Sequence, residues 1–76
     1  MQLTITSIDS VLYSGEAKSV TAPTAAGEVT ILPKHMPMVS LITKGRIIVK
    51  TDEGVKTLEA SRGFLAVGKT ETIILL

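Results

Sequence analysis

Residues Gly63 to Thr70 read GFLAVGKT, which satisfies letter for letter the GxxxxGK spacing, closed by Ser or Thr, of a phosphate-binding loop. In that motif a glycine-rich turn aims backbone N–H groups at the phosphates, lysine supplies charge, and a following helix adds the positive end of its dipole. The surroundings supply none of this. Phe64 to Val67 are apolar and strand-forming, and Thr70 is followed by Glu71 and the β-branched run TIILL. Gly68 and Lys69 are therefore expected to turn a β-hairpin, with no nucleotide bound.

The other residues able to do chemistry are few and scattered. His35 sits between Lys34 and Met36 in a stretch bracketed by Pro33 and Pro37, and a proton-transfer or switch role would require a carboxylate or nucleophile within reach. The sequence assigns it no such partner. Asp52 and Glu53, the only adjacent carboxylates, precede Gly54 and belong to a tight turn. No serine elbow is present and no cysteine, so covalent catalysis has no nucleophile and disulfides are excluded. One histidine without cysteine cannot make a four-ligand zinc site. No enzyme, cofactor or metal is expected. Net charge of +1 and two aromatics, Tyr13 and Phe64, also argue against nucleic acid as a partner.

The elements that must position these residues are strands. Val, Ile and Thr together supply 25 of the 76 residues, and Gly or Pro interrupts the chain too often for long helices. Leu3 and Ile5 alternate with Thr4 and Thr6, and Asp9 and Ser10 turn the chain into Val11 to Tyr13. Lys18 to Ala22 reads as the next strand, ended by Pro23, with Thr24 to Gly27 as a loop that delivers Glu28 to a short run, Val29 to Leu32. Pro33 and Pro37 bracket a crossing outside the sheets, and Met38 to Ile42 resumes pairing. Lys44 and Gly45 turn into Arg46 to Thr51, where Ile47 and Val49 share one face and Arg46 and Lys50 the other. Val55 to Ala60, Phe64 to Val67 and Thr72 to Leu76 complete the set.

Eight to ten short strands predict an all-β fold, a two-layer antiparallel β-sandwich or flattened barrel, as one domain over residues 1–76. Such a small chain hides only about 60 to 65% of its unfolded surface. Apolar content of 45% with a mean hydropathy of +0.41 is high for so small a soluble unit, which predicts an apolar surface covered by a partner. The opening MQLTITSIDS has no basic and apolar segments of a signal peptide, and the longest aliphatic run is Ile73 to Leu76, so the chain is expected to stay where it is made without inserting into a bilayer.

Two blocks carry a family resemblance. Gly27, Glu28, Leu32, Pro33, His35 and Pro37, followed by Gly63, Phe64, Leu65 and Val67, resemble the N-terminal domain of the epsilon subunit of rotary F-type ATP synthases, over nearly the whole chain. The resemblance implies a non-catalytic central-stalk subunit that couples the gamma subunit to the ring of c subunits in a proton- or sodium-driven synthase. It implies a place at the cytoplasmic face of a bacterial plasma membrane, held there through the complex. Glu28, which from its local sequence reads equally as a solvated turn carboxylate, would contact the polar loops of the c-ring, and His35 with Lys34 would belong to the same ring-facing end. Met38, Leu41, Ile42 and Arg62 are the gamma-facing candidates, the apolar three reading otherwise as core and Arg62 as solvated. The rival reading is a stand-alone β-sandwich interaction module.

Against the family pattern, Thr24, Thr30, Lys34 and Arg62 stand where glycine is common, so each predicts either an ordinary φ or a shifted turn. Ala66 replaces an acidic residue. The family usually continues into a hairpin of two helices that inhibits hydrolysis or binds ATP; the chain is expected to lack it and to retain only the coupling role.

Overall fold

A strand whose alternate side chains are apolar buries one face and leaves the other to solvent, and β1 (Gln2–Thr6) does this with Leu3 and Ile5, both fully buried. The computed structural model describes residues 1–34 and 36–76. Eight further strands follow: β2 (Val11–Glu16), β3 (Ser19–Thr24), β4 (Gly27–Ile31), β5 (Met38–Ile42), β6 (Gly45–Thr51), β7 (Gly54–Ala60), β8 (Gly63–Val67) and β9 (Glu71–Leu75). No helix occurs among the described residues. The all-β expectation holds, with the number of strands inside the expected range.

The strands form one sheet in the order β2-β1-β9-β8-β5-β3-β6-β7, with β4 paired to β3, folded over on itself into two layers. The fold line is the contact between β5 and β3, a single pair, Thr24 opposite Ile42. Two backbone bonds flank it, from the Ala25 N–H to the Leu41 carbonyl at 3.0 Å and from the Thr43 N–H to the Pro23 carbonyl at 2.9 Å. One layer is β2-β1-β9-β8-β5 and the other β4-β3-β6-β7. Leu3, Ile5, Ile42, Leu65 and Ile74 from the first meet Val20, Ile31, Ile47 and Val49 from the second in a common core. Between the terminal strands β2 and β7 the sandwich is open. Tyr13 and Leu58 pack on the core there, and the Lys56 ammonium lies 5.7 Å from the Tyr13 ring centroid, a cation–π contact across the gap.

Three details differ from the sequence reading. β1 and β9 pair in parallel, Leu3 opposite Thr72 and Ile5 opposite Ile74, so the sandwich is not wholly antiparallel. Pro23 does not end its strand but lies within β3, opposite Glu28. It is tolerated because the ladder to β6 has already stopped at Thr21, while its carbonyl keeps a partner in Thr43. The following loop shrinks to Ala25 and Ala26, and Gly27, at φ 111°, already begins β4. The Thr24 hydroxyl donates to the Gly27 carbonyl at 2.6 Å and accepts from the Ala26 N–H at 3.2 Å, so the side chain itself closes the turn.

Of the four residues standing at expected glycine positions, only Lys34 takes a left-handed conformation, φ 66°. Thr24, Thr30 and Arg62 have ordinary φ values. Their substitution costs no backbone strain. Gly63 is required for a different reason: a Cβ there would lie within 3.1 Å of the Leu75 carbonyl carbon and closer still to its oxygen, so β8 and β9 can approach only if residue 63 has no side chain. Gly68 and Lys69 form the expected hairpin, the Gly68 N–H bonding to the Glu71 carbonyl at 2.8 Å between antiparallel β8 and β9. The phosphate-loop spacing is thus a strand, a turn and a strand.

Candidate protein interface

β5 (MVSLI), β8 (GFLAV) and β9 (ETIIL) carry apolar residues at both phases of the strand repeat, so each has apolar residues left over after filling the core. Ile42, Leu65, Val67 and Ile74 point inward and are buried. The register places the others in two rows across the outer surface. Leu41 lies opposite Phe64, Phe64 opposite Leu75, and Leu75 beside Thr6, while Val39, Ala66, Ile73 and Thr4 form the second row. Val39 is 74% exposed, Leu41 and Phe64 each 53% and Leu75 49%. No charged side chain interrupts these two rows from β5 to β1; the exposed carboxylate of Glu71 lies beyond them, at the start of β9. At one end they run into an open groove lined by Leu41, Phe64, Leu75 and Leu76, with Lys44 and Arg62 beside it. A contiguous exposed apolar surface of this kind marks a protein-interaction site.

The outer face of the other layer has the opposite chemistry. Thr21 and Thr30 face each other with hydroxyl oxygens 2.9 Å apart, and Ile48 and Thr57 continue that row through β6 and β7. Arg46 lies opposite Glu59 with Nε 3.9 Å from Oε1, both exposed. Lys50 and Glu28 complete a face suited to water, where such ion pairs contribute about 1 kcal/mol or less.

The sequence-derived contact residues are divided by this architecture. Glu28, exposed at the start of β4, lies at the end of the sandwich formed by the turns after β1, β3, β5 and β7. β4 then runs the length of the layer, and Lys34 follows it in the crossing at the opposite end, where neighbouring Pro33 lines a cleft with Met1, Glu16, Lys18 and Asp52. Glu28 and Lys34 therefore cannot share one end. His35 lies outside the described residues. Among the gamma-facing candidates, Leu41 is on the outer apolar face and Arg62 at its groove, but Ile42 is 2% exposed and belongs to the core. Met38 opposes buried Val67 and packs inward against the same core. Strand alternation separates Leu41 from Ile42, which the apolar run could not do. Phe64, Val39, Ile73 and Leu75 were missed as surface residues, although the signal was present in strands with no polar phase.

Residues 1–76 match the family described as ATP synthase, Delta/Epsilon chain, beta-sandwich domain. The chain belongs to that family. An ATP synthase epsilon chain from Micrococcus luteus is 36% identical over 75 residues, covering 97% of this chain and 82% of the relative. The epsilon chain of Ruthia magnifica subsp. Calyptogena magnifica is 43% identical over 56 residues, 74% of this chain and 41% of the relative. The chain spans about half the length of most of the curated relatives it matches. Among solved structures, a chain of the Euglena gracilis mitochondrial ATP synthase, in a cryo-EM structure of OSCP, F1 and c-ring, superposes with a TM-score of 0.88 at 25% identity over 96% of this chain and 48% of its own. The resemblance drawn from the Gly27 to Pro37 and Gly63 to Val67 blocks is borne out. The fold described above is thus an epsilon-type sandwich, one outer face of which carries two uncharged, largely apolar rows.

Proposed function

We propose that the chain is a non-catalytic central-stalk subunit of an F-type ATP synthase, coupling the gamma subunit to the c-ring. The observation that carries this reading is the pair of uncharged, largely apolar rows across the outer face of β5, β8 and β9 on a sandwich of the epsilon family. Gamma covers that face. Desolvating Val39, Leu41, Phe64 and Leu75 contributes on the order of 25 cal/mol for each Å² of apolar surface removed from water. Phe64, central in its row, is the anchor most expected to dominate.

The c-ring meets the end that carries Glu28. The Thr24 hydroxyl and the two-residue turn hold that carboxylate on the first residues of β4, where it can accept from basic or amide groups of the ring's polar loops. Lys34, at the other end, takes no part in this contact. A two-layer sandwich is a stiff body, so a grip on gamma by one face and on the ring by one end transmits torque with little slip. The chain supplies no catalytic group and no cofactor site in this reading, and it reaches the cytoplasmic face of a bacterial plasma membrane only through its partners.

Glu28→Cys in assembled membranes tests the arrangement by cross-linking. Adducts to subunit c are expected, and adducts only to another subunit, or none, would overturn the ring-facing assignment.

A further inference from the structure

The apolar rows on β5, β8 and β9 do not fade evenly into solvent. At the Glu28 end they enter a groove of about 660 Å³ whose walls are Leu41, Phe64, Leu75 and Leu76, and whose rim carries Lys44 and Arg62 from the β5–β6 and β7–β8 turns. No Asp or Glu side chain lines that groove. Lys18 pairs with Asp52 at 3.1 Å and Arg46 with Glu59 at 3.9 Å, whereas Lys44 and Arg62, like Lys50 and Lys69 elsewhere on the surface, have no ion-pair partner among the described residues. Two cations without an ion-pair partner thus border a concave part of the apolar surface.

Resting on the reading that gamma covers this face, we infer that the segment seated there is apolar along its length and carries one or more carboxylates at the end lying over Lys44 and Arg62. A neutral or basic segment would leave two cations beside a desolvated surface with nothing to replace their water, which disfavours it. A carboxylate gains a bidentate fork from Arg62 and a point charge from Lys44. The two cations also favour one direction: the partner's acidic end lies towards the Glu28 end, because at the opposite end of the rows the β8–β9 turn carries a single lysine, Lys69, together with the carboxylate of Glu71.

Titration of the full chain against purified gamma, over a range of ionic strength, tests this with two exposed-site variants whose melting curves report intact folding. The double charge reversal K44E/R62E is expected to weaken binding about tenfold or more at low salt, mostly through slower association, and the loss should shrink as salt rises. F64D is expected to abolish binding at every ionic strength. Binding lost in F64D but unchanged in K44E/R62E overturns the acidic-segment inference and leaves the covered face standing. Unchanged binding in F64D overturns the covered face itself.

Discussion

The two outer faces of this sandwich are made by the same kind of strand on the same core, yet one is mostly threonine and charge and the other mostly aliphatic and aromatic. On β3, β4, β6 and β7 the outward phase is mostly polar, Thr21, Glu28, Thr30, Arg46, Lys50, Thr57 and Glu59, as binary patterning assigns to solvent, with Ile48 and Val55 as its apolar members. On β5, β8 and β9 it is Val39, Leu41, Phe64, Ala66, Ile73 and Leu75, with Glu71 alone charged, at the far end of β9. Neither core packing nor strand propensity demands the second pattern, since the inward phase already fills the interior. The difference teaches that hydrophobicity beyond the need of the core is information about a partner where it is contiguous: Val39, Leu41, Phe64 and Leu75 adjoin on one layer, whereas Ile8, Leu32 and Val55 are exposed at separate places.

The sharpest form of the contrast lies within β5, where adjacent residues serve opposite surfaces. Ile42→Ala should destabilise the chain by about 2 to 5 kcal/mol, because it empties a fully packed position. That is a large part of the roughly 4 to 11 kcal/mol that a chain of this size has. Leu41→Ala should cost less than about 1 kcal/mol in the free chain. Denaturant melts of the pair measure both, and similar losses would break the distinction between the two phases. Gly63→Ala comes next. Its methyl must displace the Leu75 backbone, so a loss of about 1 to 3 kcal/mol is expected together with disturbed β8–β9 amide protection in hydrogen exchange. An unchanged melt would show that the two outer rows are not held together by that close approach. The smallest effect belongs to Lys34→Gly, which should stabilise by about 0.5 to 1 kcal/mol by removing the left-handed strain at φ 66° net of glycine's entropy. Destabilisation there would mean that the lysine side chain makes up for its backbone.

How much of this was legible in the sequence depended on whether polar residues marked a phase. In β6 the alternation of Arg46, Ile47, Val49 and Lys50 assigned both faces correctly, because charge cannot point into the core. In β5 nothing polar separated Leu41 from Ile42, so both were grouped as partner residues although one is core. The same ambiguity hid Phe64 and Leu75. The glycine-rich family blocks identified the sandwich, but sequence proximity misplaced the site: Glu28 is the second residue of β4 and Lys34 follows its end, so the strand carries the chain roughly 10 Å away from Glu28, at about 3.3 Å per residue, before the crossing that holds Lys34 begins. The parallel β1–β9 pair joins residues some seventy positions apart, and no local pattern specifies such a match. Thr24 looked like a defect at a glycine position because its hydroxyl bonds to the turn were not visible without the backbone path.

The chain contains no cysteine, so single thiols report cleanly on each face. The most direct measurement is the labelling rate of Phe64→Cys and of Thr30→Cys, each in the free chain and in the assembled stalk. The account predicts strong protection of position 64 on assembly and an unchanged rate at position 30. Equal protection at both, or protection at position 30 alone, would contradict it.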